Sequence, residues 1–200
     1  TKVKKTETQA AAPNVYWTDG YGRVSYTTNS IISPVVKIAL KEFAGDMKAV
    51  TGFDAKEKSG APIQIYQLDQ LTNKEFSAVE KLGAPLHLII TAKDAFYIGT
   101  RKGKLIVIGS NARGTAYAIM KLSELAGVSP LAAWNDLQPA QRKSLYTPVD
   151  QQWIEVPRIE FRGLALNNSQ WMKPQNYSRI ARLMLRLRAN TLWQVDGRHE

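Results

Sequence analysis

The chain has 200 residues, with 27 Lys and Arg against 17 Asp and Glu, a formal net charge of +10. Hydrophobic residues make up 44% and charged residues 22%, and no run reaches the roughly 18 apolar residues of a membrane span, so integral membrane and wholly disordered classes are excluded. Cysteine is absent and there are two histidines, His87 and His199, which removes disulfides, thiolate zinc sites, cysteine nucleophiles and all-histidine metal cages; neither a metal nor a cofactor is expected.

Residues 1–14 begin as a polar, small-residue stretch without periodicity and are expected to form a disordered leader, compatible with either a trimmed export signal or a cytosolic start. Two short β-prone runs, 15–18 and 23–27, flank Asp19-Gly20. Ser33-Pro34 then gives an N-cap and first-turn pair, and Val36, Leu40, Phe43, Met47 and Val50 recur as one apolar stripe that Gly52 stops, which predicts a helix. Residues 62–66 are strand-like. Thr72 with Glu75 forms a capping box ahead of a second, shorter helix ending at Gly83.

Residues 86–91, 95–100 and 104–109 are three β-rich runs, predicted as an antiparallel meander. Residues 111–126 form an apolar helix closed by Gly127. Residues 15–127 thus predict an accessory α+β domain, a small mixed sheet covered by helices. Residues 128–157 carry Pro130, Pro139, Pro148 and Pro157 among Trp134, Tyr146 and Trp153 and predict a linker with packed aromatics, without a long helix or central strand. Residues 158–200 then predict strand 158–166, helix 174–188 and strand 190–195, a βαβ unit with a parallel strand pair.

The run from Gly109 to Thr115 sits between a strand and a helix, where backbone N–H groups can meet an anion. No Lys precedes Thr115, so a turn and helix cap are expected in place of a phosphate loop. Gly20-Tyr-Gly22 lacks the third glycine of a dinucleotide fingerprint. His87, in a β-rich run, is expected as a core or sheet-surface residue rather than a triad base. Arg179, Arg182 and Arg186 predict the solvated face of an amphipathic helix. The basic balance alone could attract nucleic acid or an acidic polymer, but no recognition motif accompanies it and nucleic acid is not expected as a partner. Asn167, Asn168, Ser169 and Trp171 directly follow the first parallel strand, where barrel enzymes place site residues. Amides and an indole suit sugar hydroxyls and ring faces; an Asx turn with Trp packing is the other reading.

Gly109-Ser-Asn-Ala-Arg-Gly-Thr-Ala-Tyr-Ala-Ile, Leu122-Ser-Glu-Leu-Ala-Gly-Val-Ser-Pro130, Trp134 with Asp136, and Phe161-Arg-Gly-Leu-Ala-Leu-Asn-Asn168 with Trp171 closely resemble glycoside hydrolase family 115, the xylan α-1,2-glucuronidases. Asp46, Val50-Thr-Gly52 and the Arg-Gly-Thr-x-Tyr helix start resemble the accessory domain that precedes the barrel in families 20, 67 and 84. The resemblance implies a family 20 hexosaminidase domain-2-like α+β domain followed by the first βαβ of a (β/α)₈ barrel that removes glucuronic acid or its 4-O-methyl ether from xylan. A barrel needs roughly 250 residues, so it would be truncated here, the catalytic acids would lie beyond Glu200, and the 200-residue chain alone would be inactive. The resemblance also implies a secreted or periplasmic parent and a polysaccharide or oligosaccharide partner.

Substrate-binding expectations fall on Asn167, Asn168, Trp171 and Trp193. Where the family has Leu-Asn-Asp-Glu, this chain has Leu166-Asn167-Asn168-Ser169; where it has Trp-Pro-Ala-Met-Trp, this chain has Trp193-Gln194-Val195-Asp196-Gly197. These departures leave room for a different sugar. The alternative expectation is a non-catalytic carbohydrate-binding or scaffold domain.

Overall fold

The computed structural model describes residues 13–166 and 173–194. In chain order the elements are β1 (Asn14–Tyr16), β2 (Ser25–Thr28), α1 (Pro34–Thr51), β3 (Lys56–Glu57), β4 (Ile63–Gln67), α2 (Asn73–Glu80), β5 (Phe96–Arg101), β6 (Lys104–Gly109), α3 (Ala112–Leu125), α4 (Ala132–Asn135), β7 (Tyr146–Pro148), β8 (Gln152–Glu155), β9 (Gly163–Leu166), α5 (Pro174–Arg186) and β10 (Thr191–Gln194). The fold is α+β with a mixed sheet and helices on both faces, as the residue pattern predicts. Asn14, expected in the leader, already belongs to β1; residues 1–12 lie outside the described residues.

The main sheet runs β3-β2-β4-β6-β5-β8, parallel from β3 to β6 and antiparallel from β6 to β8. Strands β5 and β6 are buried on both faces, which is why they read as continuous apolar runs. Phe96, Ile98, Leu105 and Val107 join Phe43 and Met47 of α1 and Tyr117 and Ile119 of α3 in one core. Tyr97, Ile106 and Ile108 point the other way, toward Val79 of α2 and Ile89. Lys102 and Gly103 take positive φ values of 49° and 72°, the two-residue turn that matches strand twist.

The helix signals behave as predicted. Pro34 opens α1 and Gly52 closes it with φ 86°. Ser33, expected as the N-cap, does not cap with its side chain: its hydroxyl accepts from Gln67 Nε2 (2.8 Å) and its N–H donates to Gln67 Oε1 (2.9 Å), pinning the helix start to buried β4. The Thr72–Glu75 capping box is present in both directions.

Two sequence expectations are corrected. Residues 86–91 are not a strand: Leu86–Leu88 is a 3₁₀ turn after Pro85, and Leu86 and Ile89, three apart, cover the second face of the sheet. Short apolar runs leave strand and helix undecided until a surface to cover is known. His87 is accordingly exposed on that turn. The third antiparallel partner is β8, from the proline-rich segment, with Ile98 opposite Trp153. It lies at the sheet edge, where the flanking Pro157 costs no ladder bond. β7 likewise pairs with β1, and Trp17 Nε1 donates to Thr147 Oγ1 at 2.9 Å in the interior.

β9 and β10 form a separate two-stranded parallel sheet joined through α5. Strand β9 is shorter than the predicted 158–166, because the Arg162 guanidinium donates to the carbonyls of Ile159 (2.7 Å) and Glu160 (3.2 Å) and curls the chain ahead of Gly163.

Candidate functional site

Asn167, Asn168 and Trp171 lie outside the described residues. Trp193 sits in β10 opposite Ala165, with 67% of its surface exposed. Its strand runs parallel to β9, so Gln194 and Leu166 end the two described strands side by side.

A cleft of about 810 Å³ opens at the opposite ends of these strands. At its floor lies Asp94, a residue the sequence marks only as part of a Lys-Asp turn. Asp94 takes φ 59° and its side chain is 2% exposed. One oxygen accepts from Arg113 Nε (2.9 Å) and Asn111 Nδ2 (3.1 Å) at the start of α3. The other accepts from Arg162 Nη2 (3.2 Å) and Asn190 Nδ2 (3.1 Å), which immediately precede β9 and β10. Burial alone would raise the Asp94 pKa, but the hydrogen bonds from Arg113, Asn111 and Asn190 outweigh it and hold the carboxyl below the ordinary aspartate value. A general acid needs the opposite shift. Glu160, at the rim, is 2.7 Å from Lys93 Nζ. Both carboxylates of the cleft are therefore paired, and the cationic residues that line it, Lys93, Arg113, Arg158 and Arg162, outnumber them.

The same geometry settles the 109–115 loop. Asn111 Oδ1 caps α3 by accepting from Gly114 N at 2.8 Å, as the turn-and-cap reading predicts. The anion near this helix start is the chain's own Asp94. A Cβ on Gly109 would overlap Thr115, and one on Gly114 would overlap the Ala95 carbonyl, so these glycines serve close strand–helix packing.

The arginine stripe is corrected in part: Arg179 and Arg182 are exposed, as a solvated face predicts, whereas Arg186 is turned inward. Arg186 is bidentate to Asp46 of α1, both bonds 2.9 Å, and also reaches Glu42 at 3.3 Å. Arg182 Nε lies 3.3 Å from Glu42, and Arg179 stacks 4.2 Å from the Trp134 ring centroid while donating to the Ala133 carbonyl. Acids on α1 and an indole on α4, distant in sequence, thus give each of the three arginines a partner, and only Arg186 is drawn into the interior. Arg188 adds ion pairs of 2.8 Å to Glu124 and Glu155, and Tyr117 Oη donates to the Ala189 carbonyl at 3.0 Å. Among the described residues no group of three or more His, Cys, Asp or Glu could hold a metal ion, and no helix is long and apolar enough to cross a membrane.

An α+β sandwich locked to the start of a parallel β/α unit is an arrangement that solved glycoside hydrolases share. A family 138 enzyme targeting pectin rhamnogalacturonan II superposes with TM-score 0.56 at 13% identity, over 86% of this chain and 19% of that one. A family 20 exo-β-N-acetylglucosaminidase from Vibrio harveyi gives 0.56 at 11%, over 93% and 24%; at these identities the likeness is one of fold.

The chain structurally resembles family 115. A 4-O-methyl-α-glucuronidase of that family, with specificity for decorated arabinogalactans, superposes with TM-score 0.75 at 28% identity, over 86% of this chain and 25% of that one. The chain spans a quarter or less of the length of these three proteins. No family model and no curated protein matches it.

Proposed function

We propose that residues 15–127 are the accessory domain of a glycoside hydrolase, that 128–157 tie it to the barrel, and that 158–200 begin a (β/α)₈ catalytic barrel. The enzyme is α-glucuronidase-like and acts on glucuronic-acid-substituted xylan or a related plant polysaccharide, outside the cytoplasm. The observation that carries this reading is the 28% identity and TM-score 0.75 over 86% of the chain. The 157 residues before the parallel unit are too few to supply that share.

In this reading the catalytic acids come from barrel strands other than β9 and β10, and the 200-residue chain does not hydrolyse. Asn167, Asn168, Trp171 and Trp193 bind the sugar; the exposure of Trp193 supports its part in this. The decisive assay is release of glucuronic acid or its 4-O-methyl ether from glucuronoxylan by the product of the whole open reading frame, beside the 200-residue chain. Release by the longer protein alone is expected; no release by the longer protein overturns the assignment.

The pairing of both cleft carboxylates, which leaves neither free to act as an acid or base, favours a second reading for the α+β part, a scaffold without chemistry of its own. It predicts that the 200-residue chain carrying Trp193→Ala is not retained on immobilised glucuronoxylan.

A further inference from the structure

Two parallel strands of four residues each do not hold a register unaided: parallel pairing is weak per residue, and isolated two-stranded sheets are marginal in water. Yet β9 and β10 pair in one register, Gly163 opposite Thr191 through Leu166 opposite Gln194. The bonds that fix this register cluster at one end. Asn190 Oδ1 accepts from Arg162 N (2.9 Å), while Asn190 N and Thr191 N both donate to the Arg162 carbonyl (2.7 and 3.0 Å). The Asn190 amide also donates to the Glu160 carbonyl at 2.7 Å, and Arg162 Nε donates to the Arg188 carbonyl at 3.1 Å.

Both side chains of this clasp, Arg162 and Asn190, end on the same oxygen of Asp94. The other oxygen is anchored on α3 through Asn111 and Arg113. Asp94 itself precedes β5, a central strand of the accessory sheet, and Ala95 N donates to Ser110 Oγ at 3.1 Å. One buried carboxylate thus bridges the main sheet and the residues that immediately precede both parallel strands. A slip of one residue would send every side chain of β10 to the opposite face, Trp193 included.

We infer that Asp94 is a positioning residue that sets the register of β9 against β10 from the accessory domain, and through them aims the residues at their far ends. The inference rests on the barrel reading for its catalytic consequence but not for its structural part. Asp94 touches no substrate in this scheme and acts through Arg162 and Asn190.

The test uses Asp94→Asn, which keeps the side-chain shape and tolerates the positive-φ turn; it removes the charge and turns one of the two accepting oxygens into an NH2 donor that faces other donors. Amide hydrogen exchange in the 200-residue chain is expected to rise about tenfold or more across 163–166 and 191–194 while β5 and β6 stay protected. Asn190→Ala, which frees β10 and leaves Asp94 held by Arg162, Arg113 and Asn111, should raise exchange in the same two segments should the first variant fail to fold. In the longer protein, Asp94→Asn is expected to lower kcat/KM by about 10²-fold with KM raised, because the side chains it misplaces are the proposed sugar-binding ones. A uniform rise in exchange, or none in β9 and β10, overturns the inference. A kcat that follows only the fraction of folded protein, with KM unmoved, overturns its catalytic part. If the longer wild-type protein releases no uronic acid, the proposed function fails, and the exchange pattern still decides the role of Asp94.

Discussion

Arg186 of α5 grips Asp46 of α1 in a two-pronged pair, Nη1 to Oδ2 and Nη2 to Oδ1, each 2.9 Å, with only 13% and 12% of the side chains exposed. The pair joins the parallel unit to the α+β sheet domain across 140 residues of chain. Planar guanidinium and carboxylate groups fit each other in this way, whereas an ammonium would make a single contact.

Removing Asp46 takes away both short bonds and leaves the poorly hydrated Arg186 with Glu42 alone, at 3.3 Å. Asp46→Ala is expected to lower unfolding stability by about 2 kcal/mol, short of the full cost of an unpaired buried charge. Lys48 and Asp54 lie 3.9 Å apart and more than half exposed, so Lys48→Ala should cost at most about 0.5 kcal/mol. Urea denaturation of the two variants checks the contrast. Equal effects would mean that the α1–α5 junction opens before the domain unfolds.

Acid should loosen the protein through two carboxylates. Glu75 accepts from the Ser30 N–H at 2.8 Å and from the Thr72 N–H and hydroxyl, which hold its pKa at about 2. Asp94 is lowered as well. Both groups are more acidic folded than unfolded, so their contributions are complete above the ordinary carboxylate range and are lost as pH falls below it toward the folded values. Stability measured from pH 7 to pH 2 should hold to about pH 5 and then decline. Glu75→Gln should make that decline shallower, at a cost of about 1 kcal/mol at neutral pH from the weakened cap.

The glycines divide by what surrounds them. Gly114→Ala drives a methyl group into the Ala95 carbonyl at the helix–strand junction and is expected to cost about 3 kcal/mol. Gly45 lies inside α1 with open space where a Cβ would stand, so Gly45→Ala should stabilise by about 0.5–1 kcal/mol. Thermal unfolding of both variants should shift in opposite directions.

Trp17 and Thr147 test whether the proline-rich segment is part of the accessory domain. The indole N–H has the Thr147 hydroxyl as its partner in the interior. Thr147→Val keeps the shape and removes the acceptor, and is expected to cost about 1–3 kcal/mol. No loss in denaturant unfolding would show that β7 can leave the sandwich without consequence.

The amino-acid sequence by itself determined the elements whose causes are local. Pro34, the apolar stripe and Gly52 specify α1; Thr72 and Glu75 specify the start of α2; Asn111 and Gly127 bracket α3; the Lys102–Gly103 turn specifies the β5–β6 hairpin. Caps, turns and helical spacing act over four residues or fewer, so they can be seen in a linear text. The sugar-site expectation at Asn167, Asn168, Trp171 and Trp193 rests on strand order and family resemblance alone, and the first three lie outside the described residues.

What the tertiary structure alone decided is which distant groups meet. Residues 86–89 became a turn because a sheet face needed covering, and residues 152–155 became a strand because β5 had an open edge. Arg186 of α5 turned inward because Glu42 and Asp46 stand opposite it. Asp94, unremarkable in the sequence, became the joint of the molecule because Asn111, Arg113, Arg162 and Asn190 converge on it from up to 96 residues away. Ion pairs and buried hydrogen bonds depend on distances of about 3 Å in space, and linear spacing carries no record of them.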